Sequence, residues 1–289
     1  MRAVFQWSLR SRSLELGKRT LIMGIVNVTP DSFFDGGKYF DPTKAVEHAL
    51  RLLDEGSDII DIGGESTRPG AKIALSAEEE LSRVMPVITT LHKVQPEALL
   101  SIDTYKAPVA RAAVTAGAEI INDISAFRWD SQMAKTASEL KCGVVLMHMR
   151  GRPEEWRTLP PPGDITLLVK RELKQWTENA VLAGVRRERI AVDPGFGFGK
   201  NFEQNYPLMA HFEDLQSLGL PLLAGTSRKS FLGRTLARDG QDAPLDQRLY
   251  GTLASHTALA LKGAHILRTH DVKAAVEAAR VTDAILQAR

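Results

Sequence analysis

Eight times along this chain a short apolar run rich in β-branched residues is followed by a longer stretch of helical period. The runs occupy residues 21–26, 58–62, 99–102, 119–121, 143–147, 190–192, 221–224 and 264–267. That alternation is the pattern of repeated strand–helix units. Helix boundary signals fall in the intervals. Asp41-Pro42 puts a capping side chain before a proline at the first helical turn, and Ser76-Ala77-Glu78-Glu79 has the spacing of a capping box. Gly56, Gly117, Gly184 and Gly219 stand where helices should end, each just before the next run. Eight such units predict an α/β fold of the (β/α)8 TIM barrel type. Residues 4–9 and 13–16 read as a short N-terminal β-hairpin ahead of it. A doubly wound open sheet is the competing architecture; the chain lacks a Gly-rich dinucleotide turn after the first strand, which counts against it.

The 289 residues suit one barrel domain spanning 1–289. Pro160-Pro161-Pro162-Gly163 is the one Pro-rich break, and it falls in the loop after the fifth barrel strand. A net charge of +2 argues against nucleic acid as a bulk partner. No apolar stretch is long enough to span a bilayer, and the Arg-rich start has no export-type apolar segment, so the expected location is the cytoplasm. The single cysteine, Cys142, opens an apolar strand and reads as a small core residue rather than a nucleophile.

Barrel enzymes carry their chemistry at the C-terminal strand ends. Here those ends supply Asn27, Asp61 followed by the segment 63–70, Asp103-Thr104, Asn122-Asp123, His148, the segment 193–200, Ser227-Arg228-Lys229-Ser230 and Arg268-Thr269-His270-Asp271. A polar group at one end is unremarkable; one at all eight points to an enzyme. Asp103, Asn122 and Asp193 form a sector of carboxylates and amides, and Arg68, Lys229, Arg268 and His270 a sector of bases. A buried carboxylate suits a flat heterocycle with an amidine-like N–H edge. Bases at the start of the last helix suit phosphate. Other chemistries fit poorly. Gly195-Phe196-Gly197-Phe198-Gly199-Lys200 lacks Walker spacing, the histidines lack zinc spacing, and no Gly-x-Ser-x-Gly elbow is present. His48, His92 and His211 read as solvated, and His148 as structural.

The segments Asn27-Val28-Thr29-Pro30-Asp31-Ser32-Phe33, Asp61-Ile62-Gly63-Gly64-Glu65-Ser66-Thr67-Arg68-Pro69-Gly70 and Asp193-Pro194-Gly195-Phe196-Gly197-Phe198-Gly199-Lys200 resemble the signatures of the dihydropteroate synthases. Ser227-Arg228-Lys229-Ser230 and Arg268-Thr269-His270-Asp271 resemble that family's later segments, in the right order, so the likeness runs from Thr20 onward. It implies condensation of 6-hydroxymethyl-7,8-dihydropterin diphosphate with 4-aminobenzoate, giving dihydropteroate and pyrophosphate in folate biosynthesis. It also implies Mg2+, a homodimer and a sulfonamide target. By resemblance, Asp103, Asn122, Met147, Asp193 and Lys229 bind the pterin. Asn27, Arg68, Arg268 and His270 take the diphosphate, with Asn27 as the metal ligand. Phe33, Thr67, Pro69, Phe198, Lys229 and Ser230 form the aminobenzoate pocket. Catalysis falls to Asp35, Asp103, Lys229 and Arg68 through dissociative loss of pyrophosphate, under a lid formed by residues 29–35. Phe34, Tyr105 and Thr269 depart from the family's usual residues. A methyltetrahydrofolate-dependent methyltransferase and a catalytically silent pterin binder are the alternatives; both are expected to lack parts of this set.

Overall fold

The computed structural model describes residues 2–29, 41–65, 75–156 and 158–288. A hairpin of β1 (Phe5–Ser8) and β2 (Ser13–Leu16) precedes eight parallel strands. These are β3 (Leu21–Asn27), β4 (Ile59–Gly63), β5 (Leu99–Asp103), β6 (Ile120–Asp123), β7 (Gly143–Met147), β8 (Ile190–Asp193), β9 (Leu223–Ala224) and β10 (Ile266–Thr269). They pair in the order β8-β7-β6-β5-β4-β3-β10-β9, and a parallel bridge from Val192 to Leu222 joins the two ends. That bridge closes the barrel and removes the open-sheet alternative.

The helices among the described residues are α1 (Pro42–Asp54), α2 (Ala77–Val94), α3 (Ala107–Thr115), α4 (Met133–Leu140), α5 (Ile165–Leu182), α6 (Phe202–Ala210), α7 (Ser230–Thr235), α8 (Leu249–Leu261) and α9 (Val272–Gln287). Asp41 caps α1 as expected, accepting from the Thr43 N–H at 2.9 Å. At α2 half of the expected capping box forms. Ser76 accepts from the Glu79 N–H, but the Glu79 carboxylate turns away to pair with Arg83 at 2.6 Å. An (i, i+4) cation on the same face competes with the backbone for that carboxylate. Gly56, Gly117, Gly184 and Gly219 all adopt positive φ, between 63° and 120°. No helix among the described residues is long and apolar enough to cross a membrane.

Strand periodicity divides the barrel into layers. Ile22, Val26, Ile60, Ile62, Leu100, Ile102, Val144, Leu146 and Val192 join the core shared with the helices. Their neighbours turn inward, and Met23, Ile59, Leu99, Ile120, Val145, Ala191, Leu223 and Ile266 form a separate apolar layer. The hairpin packs on this layer with Trp7, Leu9 and Leu16. Trp7 is fully buried and its indole N–H donates to the Arg189 carbonyl at 2.8 Å. Gly143 makes room for the plug, since a Cβ there would lie 2.5 Å from Leu9. The hairpin thus seals the N-terminal end, and the opposite end is left for the site.

Candidate active site

Beyond the apolar layer, towards the C-terminal strand ends, inward positions on most strands become polar. Two residues on stand Asp61 on β4, Asn122 on β6, Asp193 on β8 and Arg268 on β10, and four residues on stand Asn27 on β3 and Asp103 on β5. Above them lies a cavity of about 250 Å³, lined in part by Asn27, Glu65, Asp103, Trp156, Phe198, Ser227, Lys229, Ser230, Arg268 and His270. Seven of the fifteen site residues expected from the sequence line it. Asn122, Met147 and Asp193 stand in the same ring but do not line this cavity; they are 4%, 4% and 5% exposed. Phe33, Asp35, Thr67, Arg68 and Pro69 lie outside the described residues, as does Phe34.

The division into an acidic and a basic sector does not hold. Arg268 Nε donates to Asp61 Oδ2 and its Nη2 to Asp103 Oδ2, each at 2.7 Å. Barrel closure is the reason: β10 and β4 flank β3 on either side, so a long side chain from the last strand reaches across to the second and third. Asp61 also accepts from Asn122 Nδ2 at 2.9 Å. Burial pushes the Asp103 carboxyl up to about 7; Arg268 opposes the rise, while the Asp61, Glu80 and Asp123 charges add to it.

Asp193 ends β8, where the chain must turn sharply. Its Oδ1 accepts from the Gly195 N–H at 2.7 Å. Gly195 has φ of 64°, and a Cβ there would lie 2.0 Å from the His148 carbonyl oxygen, so no larger residue fits. Burial pushes the Asp193 carboxyl up to about 6, against the pull of that N–H, Lys229, Arg268 and Lys200. The Lys200 ammonium is buried and donates to the carbonyls of His148, Gly195 and Phe198 at 3.2, 2.8 and 3.2 Å. It ties this turn together rather than holding a nucleotide phosphate.

Lys229 precedes α7 and lies 3.9 Å over the Phe198 ring. Arg228 before it takes a positive φ of 56°, held by a bidentate pair to Asp271 and by Thr252 Oγ1, which accepts its N–H. Ser227 Oγ meets His270 Nδ1 at 3.0 Å beside the start of α9. Met147 packs with Ile124 and Met149, and Tyr105, Trp129, Trp156 and Phe198 extend this apolar wall. The departure at Tyr105 has a partner: its hydroxyl donates to Glu65, whose carboxylate also pairs with Lys106.

Residues 23–270 match the family of pterin binding enzymes. The dihydropteroate synthase of Clostridium beijerinckii is 44% identical over 278 residues, covering 96% of this chain and 98% of that protein. The chain belongs to the dihydropteroate synthase family. The dihydropteroate synthase of Xanthomonas albilineans solved with 4-aminobenzoic acid superposes with a TM-score of 0.88 at 45% identity, over 97% of this chain and 98% of that one. The same organism's dihydropteroate synthase in complex with 7,8-dihydropteroate gives 0.83 at 43% identity, over 94% and 96%.

Within this family frame Asp61 and Trp156 are among the residues that received no role from the sequence. Asp61 sits one pleat below the rim, and only its phase with Ile59 and Gly63 marks it as inward. Trp156 sits in the loop after the fifth barrel strand, where no periodicity applies. Three other readings hold. His92 and His211 are exposed, although His48 is half-buried beside Arg51, 2.7 Å away. His148 is fully buried, stacks on Trp176 and meets Glu172 at 3.1 Å; burial holds its pKa well below the ordinary value, so it is a neutral structural residue. Cys142 is buried and its thiol is pushed up to about 12.

Proposed function

We propose that the protein condenses 6-hydroxymethyl-7,8-dihydropterin diphosphate with 4-aminobenzoate to give 7,8-dihydropteroate and pyrophosphate. The observation that carries this reading is the meeting, in one ring, of acceptor side chains with a cationic mouth at a helix N-terminus. Asp193 and Asn122 offer oxygen acceptors to the N–H edges of a pterin, and Lys229 offers a donor to its carbonyl. The apolar wall around Met147 suits the ring's faces. Arg268 and His270, beside the first turn of α9, suit the diphosphate.

Mg2+ belongs to the same reading. Asn27 lines the cavity, half-buried at the end of β3, and presents a hard amide oxygen. The described residues hold no cluster of three acidic, His or Cys ligands. A lone protein oxygen suits Mg2+, which takes its remaining ligands from phosphate and water. When bound, the ion would neutralise charge on the leaving diphosphate. The protein's own part is electrostatic. Asp103 and Asp35 stabilise positive charge on the pterin methylene as the C–O bond breaks, while Arg268, His270 and Arg68 stabilise the departing anion. Lys229 and Ser230 orient 4-aminobenzoate, with Phe33, Thr67, Pro69 and Phe198 around it. Asp35 and the rest of the lid exclude water. A homodimer in the cytoplasm completes the proposal.

The test is pyrophosphate release. It should appear only when the protein, pterin diphosphate, 4-aminobenzoate and Mg2+ are all present. Release without 4-aminobenzoate at the same rate, or none in the full mixture, would sink the reading.

A further inference from the structure

Asp61 is fully buried, and nothing in the chemistry above uses it. Its Oδ2 accepts two hydrogen bonds, from Asn122 Nδ2 and Arg268 Nε. Its Oδ1 is buried with no hydrogen-bond partner among the described residues. It does not line the cavity. A fold has little to gain from this arrangement. A carboxylate with an unsatisfied oxygen, in the layer above Met23, Ile59 and Leu99, costs stability that an apolar residue would not.

Its two partners give it a purpose. The Asn122 amide has a donor end and an acceptor end, and nothing in its own covalent structure decides which faces the site. A carboxylate has only lone pairs to offer, so it takes the NH2 group. The Asn122 carbonyl oxygen is thereby turned away from Asp61. The same oxygen takes Arg268 Nε, which fixes the plane of the guanidinium while Nη2 reaches Asp103. We propose that Asp61 is a positioning residue: it sets Asn122 as an acceptor for a ring N–H and holds Arg268 in register with Asp103. This rests on the pterin reading of the site. It assigns recognition of the heterocycle's N–H pattern to a residue that never touches it.

Asp61→Asn keeps the shape and removes the orienting charge, because an amide can face Asn122 with either end. Binding of pterin diphosphate alone, measured by calorimetry, should weaken by about 10–100-fold, the usual loss when a residue supporting a binding group is changed. The kcat/KM for pterin diphosphate should fall by a similar factor, and the KM for 4-aminobenzoate should stay put. In an Asn122→Ala background the same substitution should cost at most about a few-fold, since neighbours that act together are not additive. Asp61→Ser, neutral and smaller, serves if the amide variant does not fold. Wild-type affinity in either variant overturns the proposal. So does a loss that persists undiminished in the Asn122→Ala background, or one that tracks a fall in melting temperature. A wild-type protein that releases no pyrophosphate would instead refute the function itself. Normal turnover beside an indifferent Asp61→Asn would refute only this inference.

Discussion

Asp193→Asn separates the charge of this side chain from its shape. The carboxyl is 5% exposed, and Gly195 occupies Oδ1. Two charge-assisted bonds to a pterin N–H edge are worth about 1.5–3 kcal/mol each. An amide keeps one neutral acceptor and sets an NH2 against a ring donor. The loss is then at least about 3 kcal/mol, on the order of 100-fold in affinity. Proton linkage gives a second signature. Burial raises the carboxyl from 3.8 to about 6, so the form that binds is depleted as pH falls through 6. Wild-type affinity for pterin diphosphate should drop about tenfold per pH unit below that point, and the variant should lack this component. The ligand's own phosphate titration is common to both proteins and cancels in the comparison. Stability moves the other way. A raised folded-state pKa means that the ionised side chain costs stability above pH 6, on the order of 3 kcal/mol for a shift of about two units. Asp193→Asn should therefore melt higher than wild type at pH 8, with the advantage fading as pH falls through 6 towards 4. Calorimetric titrations and melting curves from pH 5 to 8 measure both. Equal affinity and a shared pH profile in the two proteins would refute the assignment.

Two further expectations concern the frame around the site. Trp7→Ala empties the plug beneath the barrel and leaves the Arg189 carbonyl without its donor, so it should cost about 3–5 kcal/mol in denaturant unfolding with an unchanged slope. Pterin affinity of the folded fraction should survive; a selective loss of binding at wild-type stability would contradict the plug's purely structural part. Cys142, buried with its thiol pushed up to about 12, should resist a thiol reagent at pH 8 until denaturant is added. Stoichiometric labelling of the native protein would show that this strand end opens.

The eight strands were legible because each is a local signal: Ile and Val runs, several of them preceded by a helix-ending Gly at positive φ, as at Gly56 and Gly117. Their observed ends reach further than the apolar runs do. β6 extends to Asp123 and β10 to Thr269, because the inward-facing Asn122 and Arg268 still pair their backbones in the ladder. The layer that hosts the chemistry was legible residue by residue, from Asn27 to Arg268, but its pairing was not. Arg268 joins Asp61 and Asp103 across sequence separations of 207 and 165, a relation that barrel closure creates and no local pattern encodes. The same holds for the hairpin, since only tertiary contacts decide which end of the barrel Trp7 covers.

Asp61 stands among the strand-end polar groups of the sequence but receives no role from it, and the reason is instructive. Polar residues that follow an apolar run lie at the rim, where a role is read from what they can reach. Asp61 interrupts its run instead, between Ile60 and Ile62, and both of those face the helices. Counting by two from Ile59 places it inward, at the register of Ile25 on β3 and Ser101 on β5. Ser101 Oγ is likewise buried without a hydrogen-bond partner among the described residues. An isolated acid inside a strand whose other face is packed is thus a sharper pointer to function than an acid at the strand's end. At the rim, capping a helix is a sufficient explanation for an acid. Inside the barrel no helix end is within reach, so a buried charge there stays only where another side chain must be held.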